Sequence, residues 1–390
     1  MAEDVLVIGA GPGGLASAYF LEQAGISYRV IDRADVIAST WNGLYPSLRL
    51  NTTRFYSHLP GQRFPLSFGL FPTGREFHTY LERYARSNGF NIHLGVEVIR
   101  VCPEEDGWRV ITNQGPAWYR AVISATGRFC KPCAPTFPGE DDFRGQILHA
   151  CDYVGPEPFA GKRVMVVGNG PSGVDIAAEL GRHALRPVLL SQRTGVYLRP
   201  RYPLGLPMHI WMMIADILPD RLGQSLLDRV SAVKFENLDE IGLKVPKTPE
   251  DTSAAGSTRG YALIEAVKAG RVKSVDAPQH FEPDAVVLTD GSRQEVDAVI
   301  MATGYQPALF NYMDLDVDCN RDGWPVRVNE HLDDVTSGRR EVKDYPGLYL
   351  VGTFYQGKGA LHNMGIEAQQ AVHEIKQRLA ATQPEAAGER

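Results

Sequence analysis

Two stretches far apart in this chain share one grammar, and that repeat narrows the fold more than any other feature. Val5-Leu-Val-Ile8 is an apolar run with the length of a buried strand, followed at once by Gly9-Ala-Gly11-Pro12-Gly13-Gly14. A helical stretch, Leu15 to Ala24, is closed by Gly25, and a second apolar run, Tyr28 to Ile31, ends at Asp32. Downstream the order recurs. Arg163-Val-Met-Val-Val167 leads into Gly168-Asn-Gly170-Pro171-Ser172-Gly173, a helical stretch from Val174 to His183 and a strand from Val188 to Leu190. Each stretch predicts a β-turn-α-β unit with Gly-x-Gly-x-x-Gly at the strand-to-helix turn. Two copies with the right flanks predict an α/β fold containing two dinucleotide-binding, Rossmann-like domains.

The spacing has a chemical reason. One glycine makes the tight turn, the next lets backbone approach a pyrophosphate, and the third lets helix pack close on strand. The helix N-terminus then offers free N–H groups and a partial positive charge to the phosphates. The copies differ where the ribose is read. Asp32, eighteen residues after Gly14, is placed to accept from an unmodified ribose hydroxyl, as FAD or NAD offers. Arg193, twenty residues after Gly173 in Ser191-Gln-Arg-Thr194, suits a 2′-phosphate and marks the second site for NADP(H).

Between the units lie period-two stretches: Val96 to Val101, Trp108 to Thr112 and Ala121 to Ser124 after the first, Gln279 to Thr289 and Val296 to Met301 after the second. Both series end in one phrase, Ala125-Thr126-Gly127 and Ala302-Thr303-Gly304, so the domains are expected to be built alike. The helix-rich, apolar stretch 197–268 does not fit this plan and reads as an insertion in the second domain. A last strand, Gly347 to Val351, feeds a glycine-rich turn and a helix over Gly365 to Leu379, with a frayed tail from Ala380.

Composition excludes other classes. A chain of 390 residues holds a core without disulfide staples, and 44% hydrophobic with 22% charged residues is ordinary for a globular protein. A net charge of −6 argues against nucleic acid or an anionic membrane as partner. The acidic start and the short apolar window Met208 to Leu218 suit neither a signal peptide nor a membrane span. Five cysteines imply no disulfide framework and fit a cytoplasmic location.

Several motifs resemble one family, the flavin-containing monooxygenases, and in particular their compact branch that includes the plant YUCCA enzymes. Phe143-Arg-Gly145-Gln-Ile-Leu-His149-Ala-Cys-Asp-Tyr153 matches the family fingerprint Phe-x-Gly-x-x-x-His-x-x-x-Tyr ahead of the second glycine turn, and Ala302-Thr-Gly-Tyr305 matches a second signature. Phe71 to Phe77, Tyr80 to Ala85 and Ile241 to Pro246 are similar to stretches typical of the YUCCA branch. The resemblance implies a discontinuous FAD domain, 1–155 and 295–390, with an NADP domain, 156–294, inserted into it and carrying the helical insertion 197–268. It also implies a cycle in which NADPH reduces FAD, the reduced flavin forms a C4a-hydroperoxide with O₂, and an oxygen atom passes to a small molecule. In such a flavin domain the last helix points its N-terminus at the ring and stabilises the reduced form.

The cofactor-facing set for FAD is then Gly9, Gly11, Pro12, Gly13, Gly14, Asp32, Arg33, Trp41, Asn51, Ala125, Thr126, Gly127, Gly352 and Met364. For NADPH it is Gly168, Gly170, Pro171, Ser172, Gly173, Arg193, Thr194, Ala302, Thr303 and Gly304. Asn51, in Leu48-Arg-Leu-Asn-Thr-Thr53, aligns with the asparagine that contacts flavin and nicotinamide in many members and is the one catalytic candidate. YUCCA-branch enzymes usually lack Asn there. That departure moves the reading from oxidative decarboxylation of an aromatic 2-oxo acid toward oxygenation of nitrogen or sulfur. Baeyer–Villiger oxidation ranks below both, since Leu44 stands where those enzymes carry Arg and the fingerprint ends in Tyr153 rather than Trp. A flavin reductase or dehydrogenase and a non-enzymatic nucleotide-binding module remain the readings from other classes.

Cys130-Lys-Pro-Cys133 has the spacing of a redox pair but stands in a proline-rich segment outside the places disulfide reductases use, so no redox role is assigned. His149 is read as fixing the hinge of its motif rather than as a base. The other histidines lack metal-ligand spacing, and no metal is expected. Met208, Ile210, Trp211, Met212 and Met213 suit core, a homodimer contact or the wall of a substrate route.

Overall fold

The computed structural model describes residues 3–183, 186–195, 198–233, 235, 237–245, 258–259, 261–320, 323–328, 338–354 and 357–381. The chain divides into two compact units: Met1–Gly43 with Leu48–Lys131 and Gln306–Arg390, and Leu44–Ser47 with Pro132–Tyr305. The divisions therefore fall at Lys131 and Tyr305, where 155 and 294 had been expected. The reason is the strand Gln146–His149. It pairs in parallel with Ala298–Met301 and so carries the fingerprint segment into the second unit's sheet.

The first unit is built on a parallel five-stranded sheet in the order Leu348–Leu350, Ala121–Ser124, Val5–Ile8, Tyr28–Asp32, Ile92–Leu94. Every residue of Val5–Ile8 and of Ala121–Ser124 is buried, the mark of a parallel strand covered on both faces. Alternate residues feed two cores. Val5, Val7 and Ile123 face a layer containing the helices Pro12–Ala24, Gly74–Asn88 and Ala360–Ala381, while Leu6, Ile8 and Val122 join Trp108 and Val110 of an antiparallel meander. The helix Gly74–Asn88 starts at a reciprocal capping box, with Thr73 Oγ1 accepting from Glu76 N and Glu76 Oε2 accepting from Thr73 N. It buries Phe77, Tyr80, Leu81 and Tyr84, an i, i+3, i+4, i+7 stripe.

The second unit repeats the plan with a parallel sheet in the order Val272–Val275, Val188–Ser191, Val164–Val167, Ala298–Met301, Gln146–His149. Two expectations change here. The helix Tyr261–Lys268, expected in the insertion, packs on Pro171–His183 and on Val272–Val275. It is the crossover between the parallel strands Val188–Ser191 and Val272–Val275, which a parallel pair requires. Helices also start earlier than expected, at Pro12 rather than Leu15, Pro171 rather than Val174 and Ala360 rather than Gly365. In the first two, residues of the glycine turn already wind as helix and proline fills the first position, where its missing N–H costs nothing.

Within 197–268 the helices Met208–Ala215 and Asp220–Ser231 pack on each other, and Trp211 Nε1 donates to the Pro203 carbonyl at 2.9 Å. Met208 is buried, whereas Met213 is exposed. Tyr197, residues 246–257 (with Pro246 of the YUCCA-like stretch) and the tail beyond Ala381 lie outside the described residues.

Candidate functional site

Both sheets end their central strands in the same construction, and the glycines explain it. A Cβ on Gly9 would stand 2.6 Å from the carbonyl oxygen of Ala125, and one on Gly14 would run into the carbonyl oxygen of Gly9. In the second unit a Cβ on Gly168 would meet the Ala302 carbonyl, and one on Gly173 the Gly168 carbonyl. Gly9 and Gly168 also hold positive φ, +109° and +116°. These four glycines are required by the protein's own packing. The repeated Ala-Thr-Gly phrase is now accounted for: its alanine carbonyl closes over the first glycine of each turn. The middle glycines differ. A Cβ on Gly11 or Gly170 would meet nothing within 4 Å, so no protein atom accounts for the absence of a side chain there. That open cradle at a helix N-terminus fits a pyrophosphate in each unit.

Around the first turn the carboxyl ends of neighbouring strands bring together Asp32, Ala125-Thr126-Gly127 and Gly352. Asp32 does more than await a ribose. Its Oδ2 accepts from Ala10 N at 2.8 Å and its Oδ1 from Ala34 N at 2.9 Å, which fixes the carboxylate against the turn. Each oxygen keeps a second lone pair for a hydroxyl. Arg33 is exposed. Trp41 is half-buried and packs edge-on to Phe77 with centroids 4.5 Å apart. The backbone N–H of Trp41 donates to the Ala38 carbonyl, and Ala38 N donates to the Ala10 carbonyl of the glycine turn. Met364 lies against Gly352, whose Cβ would stand 3.5 Å from Met364 Cε, and Gly13 packs on Val351.

Asn51 is exposed on a loop whose neighbours are fixed. Thr52 Oγ1 and Ser57 Oγ share a hydrogen bond at 2.6 Å, and Thr52 packs on Gly359 at the head of the helix Ala360–Ala381. Tyr56 adds an edge-on contact to His362, with centroids 5.3 Å apart. The Asn51 loop is thereby carried against the start of the C-terminal helix.

In the second unit Asn169 does the work that Asp32 does in the first. Its Nδ2 donates to the carbonyls of Thr194 and Gly195 at 3.0 and 2.7 Å, tying the loop after Val188–Ser191 to the glycine turn. Arg193, next to Thr194, is exposed beside that turn. Its neighbour Gln192 is wholly buried, with Oε1 accepting from Ser274 Oγ at 2.7 Å. Asn169 was not singled out by sequence. The only signal was an amide between the first two glycines where the first motif has alanine.

His149 is fully engaged. Its Nδ1 accepts from Cys151 N at 3.2 Å, which leaves Nε2 to donate to the Gly304 carbonyl at 3.1 Å. Burial holds it below the usual histidine pKa, so it stays a neutral strut between its motif and Ala302-Thr-Gly304. Cys130 donates to the Thr126 carbonyl and burial pushes its thiol up, with Arg33 opposing, which is the reverse of an activated redox thiol. Among the described residues no His, Cys, Asp or Glu group is arranged to hold a metal, and no helix is long and apolar enough to cross a membrane.

Asp175, in the first turns of the helix Pro171–His183, has its carboxyl moved toward neutrality. Burial raises its carboxyl to about 6, Arg201 opposes, and Glu179 adds to the rise. A carboxyl whose folded pKa is raised binds its proton more tightly in the native state. The stability it contributes is full below the ordinary carboxylate range and is lost as pH rises through about 6. Asp175→Asn is therefore expected to stabilise the protein by up to about 3 kcal/mol at pH 8 and by little at pH 3.5. Urea midpoints of both proteins at both pH values check this, and an equal effect at the two would contradict it.

Comparison with known proteins agrees with this construction. The family model described as pyridine nucleotide-disulphide oxidoreductase matches residues 6–199. Indole-3-pyruvate monooxygenase YUCCA1 of Oryza sativa subsp. japonica is 33% identical over 361 residues, covering 90% of this chain and 87% of that protein. Probable indole-3-pyruvate monooxygenase YUCCA8 of Arabidopsis thaliana is 30% identical over 395 residues, covering 97% and 90%. Among solved structures, the flavin-containing monooxygenase from Stenotrophomonas maltophilia is 26% identical, with a TM-score of 0.69 over 97% of this chain and 98% of that one. Full-length identity to the YUCCA proteins, joined to two dinucleotide-binding folds, shows that the chain belongs to the flavin monooxygenase family in its YUCCA-like branch, an oxidoreductase with FAD and NADPH as cofactors.

Proposed function

We propose that this monooxygenase oxygenates a nitrogen or sulfur atom of a small molecule, with FAD on the first unit's glycine turn and NADPH on the second's. The observation that carries the finer reading is Asn51, an amide on a loop packed against the head of the C-terminal helix. When bound, NADPH supplies hydride and FAD the flavin chemistry that activates O₂. The chain's own residues bind and orient. Amides after Gly11 and Gly170 receive the pyrophosphates, Asp32 accepts from the FAD ribose, and Arg193 pairs with the 2′-phosphate of NADPH. Asn51 donates and accepts without titrating, which suits a site where a proton must be held at one atom while water is kept out.

A second reading has its own support. The relatives that match over nearly the whole chain are named for indole-3-pyruvate, which favours oxidative decarboxylation of an aromatic 2-oxo acid. A panel of amines, thioethers, ketones and 2-oxo acids, read by mass spectrometry of the products, separates the two. We expect N-oxides or sulfoxides as the main products. A chain-shortened acid from the 2-oxo acid, with amines and thioethers unchanged, would replace the first reading by the second. Product must be measured directly, because NADPH is also consumed when O₂ is merely reduced to peroxide.

A further inference from the structure

Beneath the turn that follows the strand Leu348–Leu350 lies a wholly buried carboxylate. Glu367, on the helix Ala360–Ala381, is 0% exposed. Its Oε2 accepts from the backbone N–H of Gly352 at 2.8 Å and of Thr353 at 3.2 Å, and its Oε1 accepts from Thr353 Oγ1 at 2.8 Å. Two buried guanidinium groups stand over the same oxygen, Arg327 Nη1 at 3.4 Å and Arg340 Nη1 at 3.5 Å. The carbonyl of Thr353 is taken from the other side by Arg128 Nη1 at 2.6 Å, one residue past Ala125-Thr-Gly127. The N–H, hydroxyl and carbonyl of Thr353 are thus all held within the unit. The turn is fixed before any ligand arrives. Gly352, at φ +90°, makes its bend, and Met364 rests on it.

A buried charge is costly, and here Arg327 and Arg340 compensate it on one oxygen. The carboxylate also gathers three donors from two adjacent residues, all at the carboxyl end of a strand next to the Ala125-Thr-Gly127 turn. We propose that Glu367 is a positioning residue for the flavin: through Gly352 and Thr353 it sets the backbone that faces the ring, with Arg128 as the opposing clasp. This rests on the assignment of FAD to the first unit. Glu367 itself touches no cofactor, and its effect passes through the geometry and the fixed field of the turn.

The test uses the whole protein with FAD and three variants. Glu367→Gln keeps the volume and removes the charge. Thr353→Val removes only the hydroxyl donor and leaves the arginine–glutamate cluster intact, so it stays informative if the first variant folds poorly. Thr353→Ser restores the donor. We expect FAD dissociation constants raised about 10-fold or more in Thr353→Val and further in Glu367→Gln. A displaced visible flavin band and a changed flavin midpoint potential should accompany them, with Thr353→Ser returning to wild-type values. Wild-type FAD affinity, spectrum and potential in Thr353→Val and Glu367→Gln, with only the melting temperature of the FAD-free protein lowered, would make the cluster purely structural and overturn the proposal. If the flavin assignment itself is wrong, the signature differs: Gly11→Ala would leave FAD binding unchanged, and the proposal would fall with it.

Discussion

Gly11→Ala is expected to leave the first unit folded and to weaken FAD at least about 100-fold, while Gly14→Ala is expected to cost about 3 kcal/mol of stability. The two residues stand three apart in one motif, yet their environments are opposite. Gly11 has an extended backbone, φ −84° and ψ −172°, that alanine adopts freely, and nothing lies within 4 Å of its absent Cβ. A methyl group there meets only the incoming pyrophosphate. A methyl group on Gly14 meets the Gly9 carbonyl, and backbone on both sides would have to part. Denaturant unfolding of the FAD-free proteins, with FAD titration of each, separates the cases. Gly11→Ala that unfolds, or that binds FAD as wild type does, would contradict the assignment of the open cradle to the cofactor.

Arg193→Ala is expected to raise the NADPH dissociation constant about 30-fold and to leave NADH nearly unchanged. A charge-assisted hydrogen bond to a phosphate contributes about 1.5–3 kcal/mol, and NADH has no phosphate at that position. The placement supports the size of the effect. Asn169 fixes Thr194 and Gly195 to the glycine turn, so the arginine beside them is presented on an anchored loop rather than a mobile one. Equal losses for both nucleotides would remove the 2′-phosphate from the account. Asn169→Ala should produce a weaker version of the same selective loss.

The sequence made the repeated units legible because each packs a local pattern, a buried strand, a glycine turn and a helix, into about thirty residues. It also showed that Ala-Thr-Gly recurs, but not why. The reason is a carbonyl from Ala125 or Ala302 closing on a glycine more than a hundred positions earlier. Long-range contacts of this kind leave no periodicity to read. Glu367 was invisible for the same reason: its partners lie 14 to 40 positions away, and on its helix it looks like any solvent-facing acid. Tyr261–Lys268 was grouped with the insertion because a long break separates it from Val188–Ser191, and only the parallel pairing with Val272–Val275 shows it to be the crossover. The helix Gly74–Asn88 carries clearer traces, a Thr-x-x-Glu start and an apolar stripe at helical spacing, although no helix was expected there from the sequence.

The central claim is that one atom of O₂ enters the product at the expense of NADPH. The direct measurement is the mass of the product formed by the FAD-loaded enzyme under oxygen-18 gas with NADPH and a thioether or amine. The account predicts a sulfoxide or N-oxide carrying one heavy oxygen atom. NADPH oxidised with all the heavy oxygen recovered as peroxide, and no labelled product from any member of the panel, would contradict it.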